Sequence, residues 1–499
     1  MPAHTLTIRN LTGRELQLVE VERLKGEESC CNHLLCCCCC CCGSGDDDEK
    51  DDGAAVPLAV EPFRARDTGV RAVTNDGHGQ VLRLTLATAA NQDEHCHHYQ
   101  TDILCLSPKM AREAEAEAKR SPPTSTWTAV MRKVDKGRHG HGGGETDLMA
   151  IFVASPAAGG PLLAVLASPP LDAWMRHVRD EWPLSMLSIP GTHNSPACHH
   201  ALPSVRCQAV GVAAQLGHGV RFLDVRVSAS PGSDHLSLVH GAFPVSLLGS
   251  KCLGWLLDDV YRFLDAHASE TVILSLKREG LGKASDGEMA KTLKRVHVDK
   301  RPEKWWTEPS IPTLGQARGR IVLVRRFAID DDMRQVCHHG GGWAIDAQTW
   351  PDNCEDGEGG GGCFRIQDYY EVARSHKIQT KIDFSRGQLE RAAAQKFALS
   401  DTPGHEGAPP PPFFVNFLTA SNFFNATCWP ERVAAKVNPA VLGYLCTSHG
   451  EQGKGPASLA VGSAGTGIVV TDWVGHDDDW NLMHCIVGMN ARLQQGAKT

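Results

Sequence analysis

Over the first third of the chain, apolar and polar positions alternate with a period near two. Leu6 and Ile8, Leu16 and Leu18, Val81–Leu86, Trp127–Val134 and Leu148–Val153 each read as a strand hiding one face. Together they predict a small antiparallel β domain, a sandwich, over residues 1–170. From about residue 171 the pattern changes to short continuous apolar runs separated by helical stretches. The runs are Leu184–Ile189, Val220–Val227, Leu236–Val239, Val272–Leu276, Ile321–Val324, Trp343–Ile345, Phe413–Leu418 and Gly467–Val470. Between them, Leu253–Ala268 carries Leu256, Val260, Phe263 and Leu264 at the i, i+4, i+7, i+8 spacing of a helix with one buried face. Buried strands alternating with helices predict an α/β fold over residues 171–499, an irregular (β/α) barrel of the TIM type, with a doubly wound open sheet as the competing arrangement.

Composition narrows the picture. The chain has 499 residues and a net charge of −8, and the run Asp46–Asp52 supplies much of that charge. The remaining body is near neutral, which gives no footprint for nucleic acid and no broad basic face for anionic membranes. No run reaches the roughly 18 apolar residues of a membrane helix. The opening MPAHTLTIRNLTG lacks a basic stretch followed by an apolar one, so the expected location is cytoplasmic, with secretion by another route left open. Cysteines crowd at Cys30, Cys31 and Cys36–Cys42; such a run is not a spaced disulfide framework, and residues 30–54 are expected to be disordered. Cys354 and Cys363 flank a Gly-rich loop and read as two loop thiols, able to bridge only in an oxidising compartment.

The chemistry lies in the polar residues that end the apolar runs. His193 and Asn194 follow the first run, Asp224 and Arg226 sit on the second, and His240 ends the third. Lys277 ends the fourth, Arg325 and Arg326 end the fifth, Asp368 and Tyr370 follow Ile366, and Asp472 follows the last. In a barrel of this kind the carboxyl ends of the strands surround one mouth. Closure makes the last strand a neighbour of the first, so Asp472 would lie beside His193 and orient it. Each residue alone has a structural explanation: a lone His at a strand end is usually structural, Arg226 alone suits a salt bridge, and Lys277 suits pairing with Glu279. The run of successive strand ends points instead to a site for a phosphate-bearing substrate.

These segments resemble a known family. Ser188–Ser195, Gly219–Arg226, Leu238–Gly241 and Ser269–Lys277 are similar to the X region of phosphatidylinositol-specific phospholipases C, closest to the bacterial type and its fungal relatives. Arg318–Arg326, Trp350–Asn353, Gln367–Tyr370, Val415–Phe417 and Val470–Asp472 continue the similarity in order, over about 171–490. The resemblance implies an incomplete (β/α) barrel and attack by the inositol 2-hydroxyl on its own phosphodiester. By position it makes His193 the general base, Asp472 its holder, His240 the general acid and Arg226 the phosphoryl clamp. Asp224 would support His240 or Arg226, and Lys277, Arg326, Asp368 and Tyr370 would line the inositol ring. The expected partner is a phospholipid at a membrane surface; oligomeric state is not fixed by the sequence.

The same resemblance implies no cofactor and no metal. Animal members hold calcium with acids where this chain has Arg226 and Lys277, and a guanidinium supplies the positive charge that an ion would bring. Asn194 departs from the bacterial pattern, which has Asp there. Two further functions stay open: phosphodiester cleavage in another phospholipid or a soluble diester, and a non-catalytic lipid-binding or interaction protein. His95–His98, His139 and His141 lack a metal-ligand spacing and read as loop histidines. Arg221 reads as packing or a salt bridge, and Trp473 and Trp480 are candidates for contact with lipid or for core packing.

Overall fold

The computed structural model describes residues 5–24, 49–50, 56–73, 80–88, 96–107, 109–111, 113, 126–129, 131–134, 147–154, 160–399 and 409–495. The Cys run, most of the acidic tract, His95, His139 and His141 lie outside the described residues. The chain divides into two compact units, Met1–Ala167 and Ser168–Thr499.

The first unit holds two sheets around one core. One sheet is a six-stranded antiparallel meander built on Leu16–Leu24, Val81–Thr88 and His98–Leu104. The other sheet has five strands and contains one parallel pair, Thr7–Asn10 against Leu162–Val165. Leu6, Ile8, Leu16, Leu18, Leu84, Phe152 and Leu163 fill the space between the sheets. Where one strand is expected over Trp127–Val134, two form: Thr126–Ala129 joins one sheet and Met131–Lys133 the other. Glu49 and Lys50, inside the stretch expected to be disordered, pair with Arg23 and Glu22.

The second unit is a curled, largely parallel sheet with helices outside it. Its strands are β1 (Ile189–Thr192), β2 (Phe222–Ala229), β3 (Leu236–His240), β4 (Val272–Arg278) and β5 (Ile321–Arg326). They continue with β6 (Ile345–Asp346), β7 (Phe364–Gln367), β8 (Phe413–Phe417) and β9 (Ile468–Thr471). Parallel ladders run β5–β4–β2–β1–β9–β8–β7, so the first and last strands are neighbours, and β6 pairs with β5. Among the described residues no ladder joins β6 to β7, and the barrel is open there. Phe222, Ile273, Val324, Ile366, Phe417 and Val470 share one buried core.

Several details depart from expectation for local reasons. β3 runs antiparallel to β2, because the link Ser230–His235 is too short for the crossover that a parallel pair needs. The run Leu184–Ile189 opens with a 3-10 turn, Leu184–Met186, so β1 starts only at Ile189. The Gly-rich loop includes a strand, Gly357–Gly359, antiparallel to β7. Phe364–Gln367, not among the apolar runs that the sequence singles out, is a full member of the sheet.

Gly191 lets β1 and β2 pack closely. A Cβ there would come within 3.1 Å of the Phe222 side chain on the neighbouring strand. Arg221, at the opposite end of β2 from the mouth, is fully buried with Glu270 and also donates to the carbonyls of Leu171, Asp172, Leu216 and Val220. Saturating a buried guanidinium in this way ties the strand starts to the chain that enters the barrel. No helix of the described residues is long and apolar enough to cross a membrane.

Candidate active site

Register alone assembles the site. Thr192 pairs with Thr471, and the backbone amide of His193 donates to the Thr471 carbonyl at 2.9 Å. The next residue on each strand is therefore brought alongside the other, and His193 Nδ1 lies 2.9 Å from Asp472 Oδ1. Gln208 staples this closure by donating from Nε2 to the carbonyls of both His193 (2.7 Å) and Thr471 (2.9 Å). Asn438 holds the backbone of Asp472 through its carbonyl, at 3.0 Å. Asp472 is 2% exposed; burial pushes its carboxyl up, and the contact with His193 draws it partly back. A carboxylate on Nδ1 fixes the proton there and leaves Nε2 as the basic nitrogen.

Across the mouth, His240 ends β3. Its Nδ1 lies 2.8 Å from the Val205 carbonyl, an acceptor only, so Nδ1 carries the proton and Nε2 is free for chemistry. The two imidazole rings stand edge to face with centroids 5.5 Å apart. Burial, then the nearby His193 and Arg226, push the His240 ring down to about 4.

On the neighbouring strands the ladder sets Arg226 opposite Lys277, and Lys277 opposite Arg326. Three cations in one row repel unless acids interleave them. Period-two geometry supplies those acids on the same face: Asp224 two residues before Arg226, and Glu279 two residues after Lys277. Asp224 is fully buried and accepts from Arg226 Nε (3.2 Å), Arg326 Nη1 (3.3 Å) and the Asn194 amide (3.2 Å). Its burial opposes the charge, but Arg226 and Arg326 outweigh it and hold the carboxyl well below the usual range. Glu279 accepts from Arg226 Nη1 (3.2 Å), Lys277 Nζ (2.8 Å) and the Gly241 amide (3.0 Å). It is partly buried, which opposes its charge, and Arg226 and Lys277 likewise hold it low.

Asn194, Arg326, Asp368 and Tyr370 stand at the corresponding ends of β1, β5 and β7. Asn194 takes the left-handed conformation, φ 38°, which Asn tolerates, and its side-chain amide donates to the Val239 carbonyl at 3.2 Å. Arg326 lies over the Trp350 ring, 3.9 Å from its centre, and Trp350 donates to Asp368 at 3.1 Å. Tyr370 donates to Asp352 at 2.8 Å, and burial and that contact push its phenol up to about 12. Arg325 points away, into contacts with Trp343, Phe327 and Asp346. Of the two tryptophans, Trp480 is buried against His218, and Trp473 is half-buried beneath Arg206. Cys354 and Cys363 are free thiols.

Residues 181–327 match the family described as phosphatidylinositol-specific phospholipase C, X domain. These residues belong to that family. The wider chain is 25% identical over 330 residues to 1-phosphatidylinositol phosphodiesterase of Staphylococcus aureus (strain Newman), covering 62% of this chain and 91% of that protein. It is 30% identical over 163 residues to the Listeria monocytogenes enzyme of the same name, covering 30% of this chain and 47% of that one. It is 28% identical over 202 residues to human PI-PLC X domain-containing protein 1, covering 34% of this chain and 56% of the human one. Solved structures of the phosphatidylinositol-specific phospholipases C of S. aureus and L. monocytogenes align with 64% of this chain. They do so at 21% and 20% identity with TM-scores of 0.49 and 0.46, covering 98% and 99% of those chains.

Sequence reading missed several supports around this site. Glu279 was visible only as a partner for Lys277, yet it also fixes Arg226 and Gly241. Gln208 and Cys207 carry no pattern in the sequence; they reach the site through a loop. Lys381, fully buried on the helix Lys377–Ala393, bonds Gln367 at 2.9 Å beneath the mouth, and burial pulls its amine down to about 7.

Proposed function

We propose that the barrel unit is a phosphatidylinositol-type phospholipase C that cleaves the glycerol–phosphate bond without a metal ion. The inositol 2-hydroxyl attacks phosphorus and its proton passes to His193 Nε2, while Asp472 holds the resulting imidazolium. The bond from phosphorus to the glycerol oxygen breaks, and His240 Nε2 gives that oxygen a proton. The products are diacylglycerol and a cyclic inositol phosphate; no water is consumed. Arg226, oriented by Asp224 and Glu279, takes the phosphoryl oxygens. Lys277, Arg326, Asp368 and Tyr370 provide charged and hydroxyl groups for the inositol hydroxyls. Asn194, linked to Val239 and to Asp224, positions the turn that presents His193.

The observation that carries this reading is the His193 imidazole held through Nδ1 by Asp472, its ring centre 5.5 Å from that of a second imidazole, with a row of cations and interleaved carboxylates beside them. His240, held near 4 at rest, is neutral at physiological pH, so the acid role requires the substrate. A phosphodiester anion bound at Arg226 favours the charged ring and raises that value. The carboxylates that a calcium ion would need, Asp224 and Glu279, are already committed to guanidinium and ammonium groups.

The substrate reading also draws on the mouth's rim. Phe243, just beyond β3, stacks on Phe423, beyond β8, with centroids 5.3 Å apart, and Phe424 beside them is 94% exposed. Leu247 and Leu248 are exposed nearby in sequence. Aromatics around a mouth suit a substrate drawn from a bilayer surface. The test is phosphatidylinositol hydrolysis in excess chelator by wild type and His193→Ala. Metal-free release of cyclic inositol phosphate, reduced roughly 10²–10⁴-fold in the variant, is the expected result. Dependence on added calcium, or equal rates in the two proteins, would contradict it. Activity on diesters lacking inositol would favour the second reading, a broader phosphodiesterase.

A further inference from the structure

One group in the mouth has no part in that mechanism. Cys207 is fully buried, with Sγ 3.5 Å from His240 Nδ1 and 3.4 Å from the Val205 carbonyl. One donor atom from each of His193, Cys207 and His240 lies within 4.8 Å of the other two. We propose that these three side chains form an inhibitory site for zinc(II), which shuts the enzyme by occupying its acid and its base together. The inference rests on the acid–base reading of His193 and His240.

Three features support it. A thiol and two imidazoles are the borderline-soft donor set that suits zinc and does not suit calcium or magnesium. Both rings have a nitrogen engaged by an oxygen acceptor, His193 by Asp472 and His240 by the Val205 carbonyl. That is the outer shell which orients zinc-ligating histidines and raises their basicity. The local charge is also permissive: Asp224, Asp472 and Glu279 match Arg226, Lys277 and Arg326 in number, so a dication meets no net positive cluster. Binding needs no redox step. The Cys207 S–H bond gives up its proton to solvent, a sulfur–zinc bond forms, and each imidazole donates a lone pair. Three protein ligands leave zinc a fourth position for water.

The experiment uses the full chain in zinc chloride buffered by chelator to fixed free concentrations, so that cysteines elsewhere do not set the free metal. Phosphatidylinositol cleavage is followed for wild type, Cys207→Ala and Cys207→Ser, each against its own zinc-free rate. We expect wild-type inhibition that chelator reverses, and at least about a tenfold rise in the free zinc needed for half-inhibition in both variants. Equal half-inhibition in all three proteins would overturn the proposal. Cobalt(II) chloride gives a readout independent of activity. The wild-type spectrum minus that of Cys207→Ser should show thiolate-to-cobalt charge transfer, with the remaining cysteines cancelling. A featureless difference overturns the site even if the chain proves to have no lipase activity; a clear band with an inactive chain overturns only the catalytic reading.

Discussion

At the residue scale, His240 is the most informative side chain because its two expected behaviours differ. As the general acid it matters in proportion to how poor the leaving group is. His240→Ala should lose activity by roughly 10²–10⁴-fold on natural lipid but far less on an analogue with an activated phenolic leaving group; equal losses on the two substrates would remove it from that role. Its resting protonation makes a second, separate statement. Burial, then His193 and Arg226, hold the ring down to about 4, against 6.5 when free. Between those values the unfolded chain binds a proton that the folded ring refuses, so stability rises with pH across this window and is lost as pH falls from 6.5 towards 4. We expect the thermal midpoint of wild type to drop over that range, and that of His240→Asn, which cannot titrate, to drop less. Parallel curves would show that the ring is not held neutral by burial.

At the element scale, much was legible because strands announce their ends. His193, Asp224, Arg226, Lys277 and Asp472 could each be placed from a polar residue on or just after an apolar run, since those runs are parallel strands with one mouth side; His240 ends a strand that runs the other way, folded back along β2. What could not be read was the company each one keeps. Gln208 and Cys207 lie in a loop without periodicity, and two acids organise Arg226, Asp224 on the same strand and Glu279 just beyond the end of β4. The antiparallel turn of β3 was hidden because apolar content does not reveal strand direction; the length of its link does. Trp473 and Trp480, near β9, read as lipid contacts or core packing; Trp480 is buried, and the aromatics exposed just beyond β3 and β8 are Phe243, Phe423 and Phe424. Replacing Phe424 by Ser removes an exposed ring that touches no catalytic group. We expect lower activity on phosphatidylinositol vesicles, with activity on a short-chain substrate in solution kept within about twofold. An equal fall on both substrates would assign Phe424 to the fold or the chemistry instead.

At the scale of the molecule, the two units differ in how openly the sequence declares them. Alternation in the first and apolar runs in the second follow from which faces each sheet buries, one in a sandwich and both in a helix-covered barrel. The resemblance implied an incomplete barrel but not where the gap falls, because a missing ladder leaves no mark on composition; among the described residues it lies between β6 and β7. The β1–β9 pairing is the feature on which the chemistry depends, since it alone brings Asp472 to His193 across the length of the barrel. A double-mutant cycle on phosphatidylinositol cleavage, using His193→Ala, Asp472→Asn and the two together, measures that dependence directly. If the carboxylate acts through the imidazole, the double variant should be no slower than His193→Ala alone. Losses that multiply would mean that the two side chains act independently, and would contradict the account.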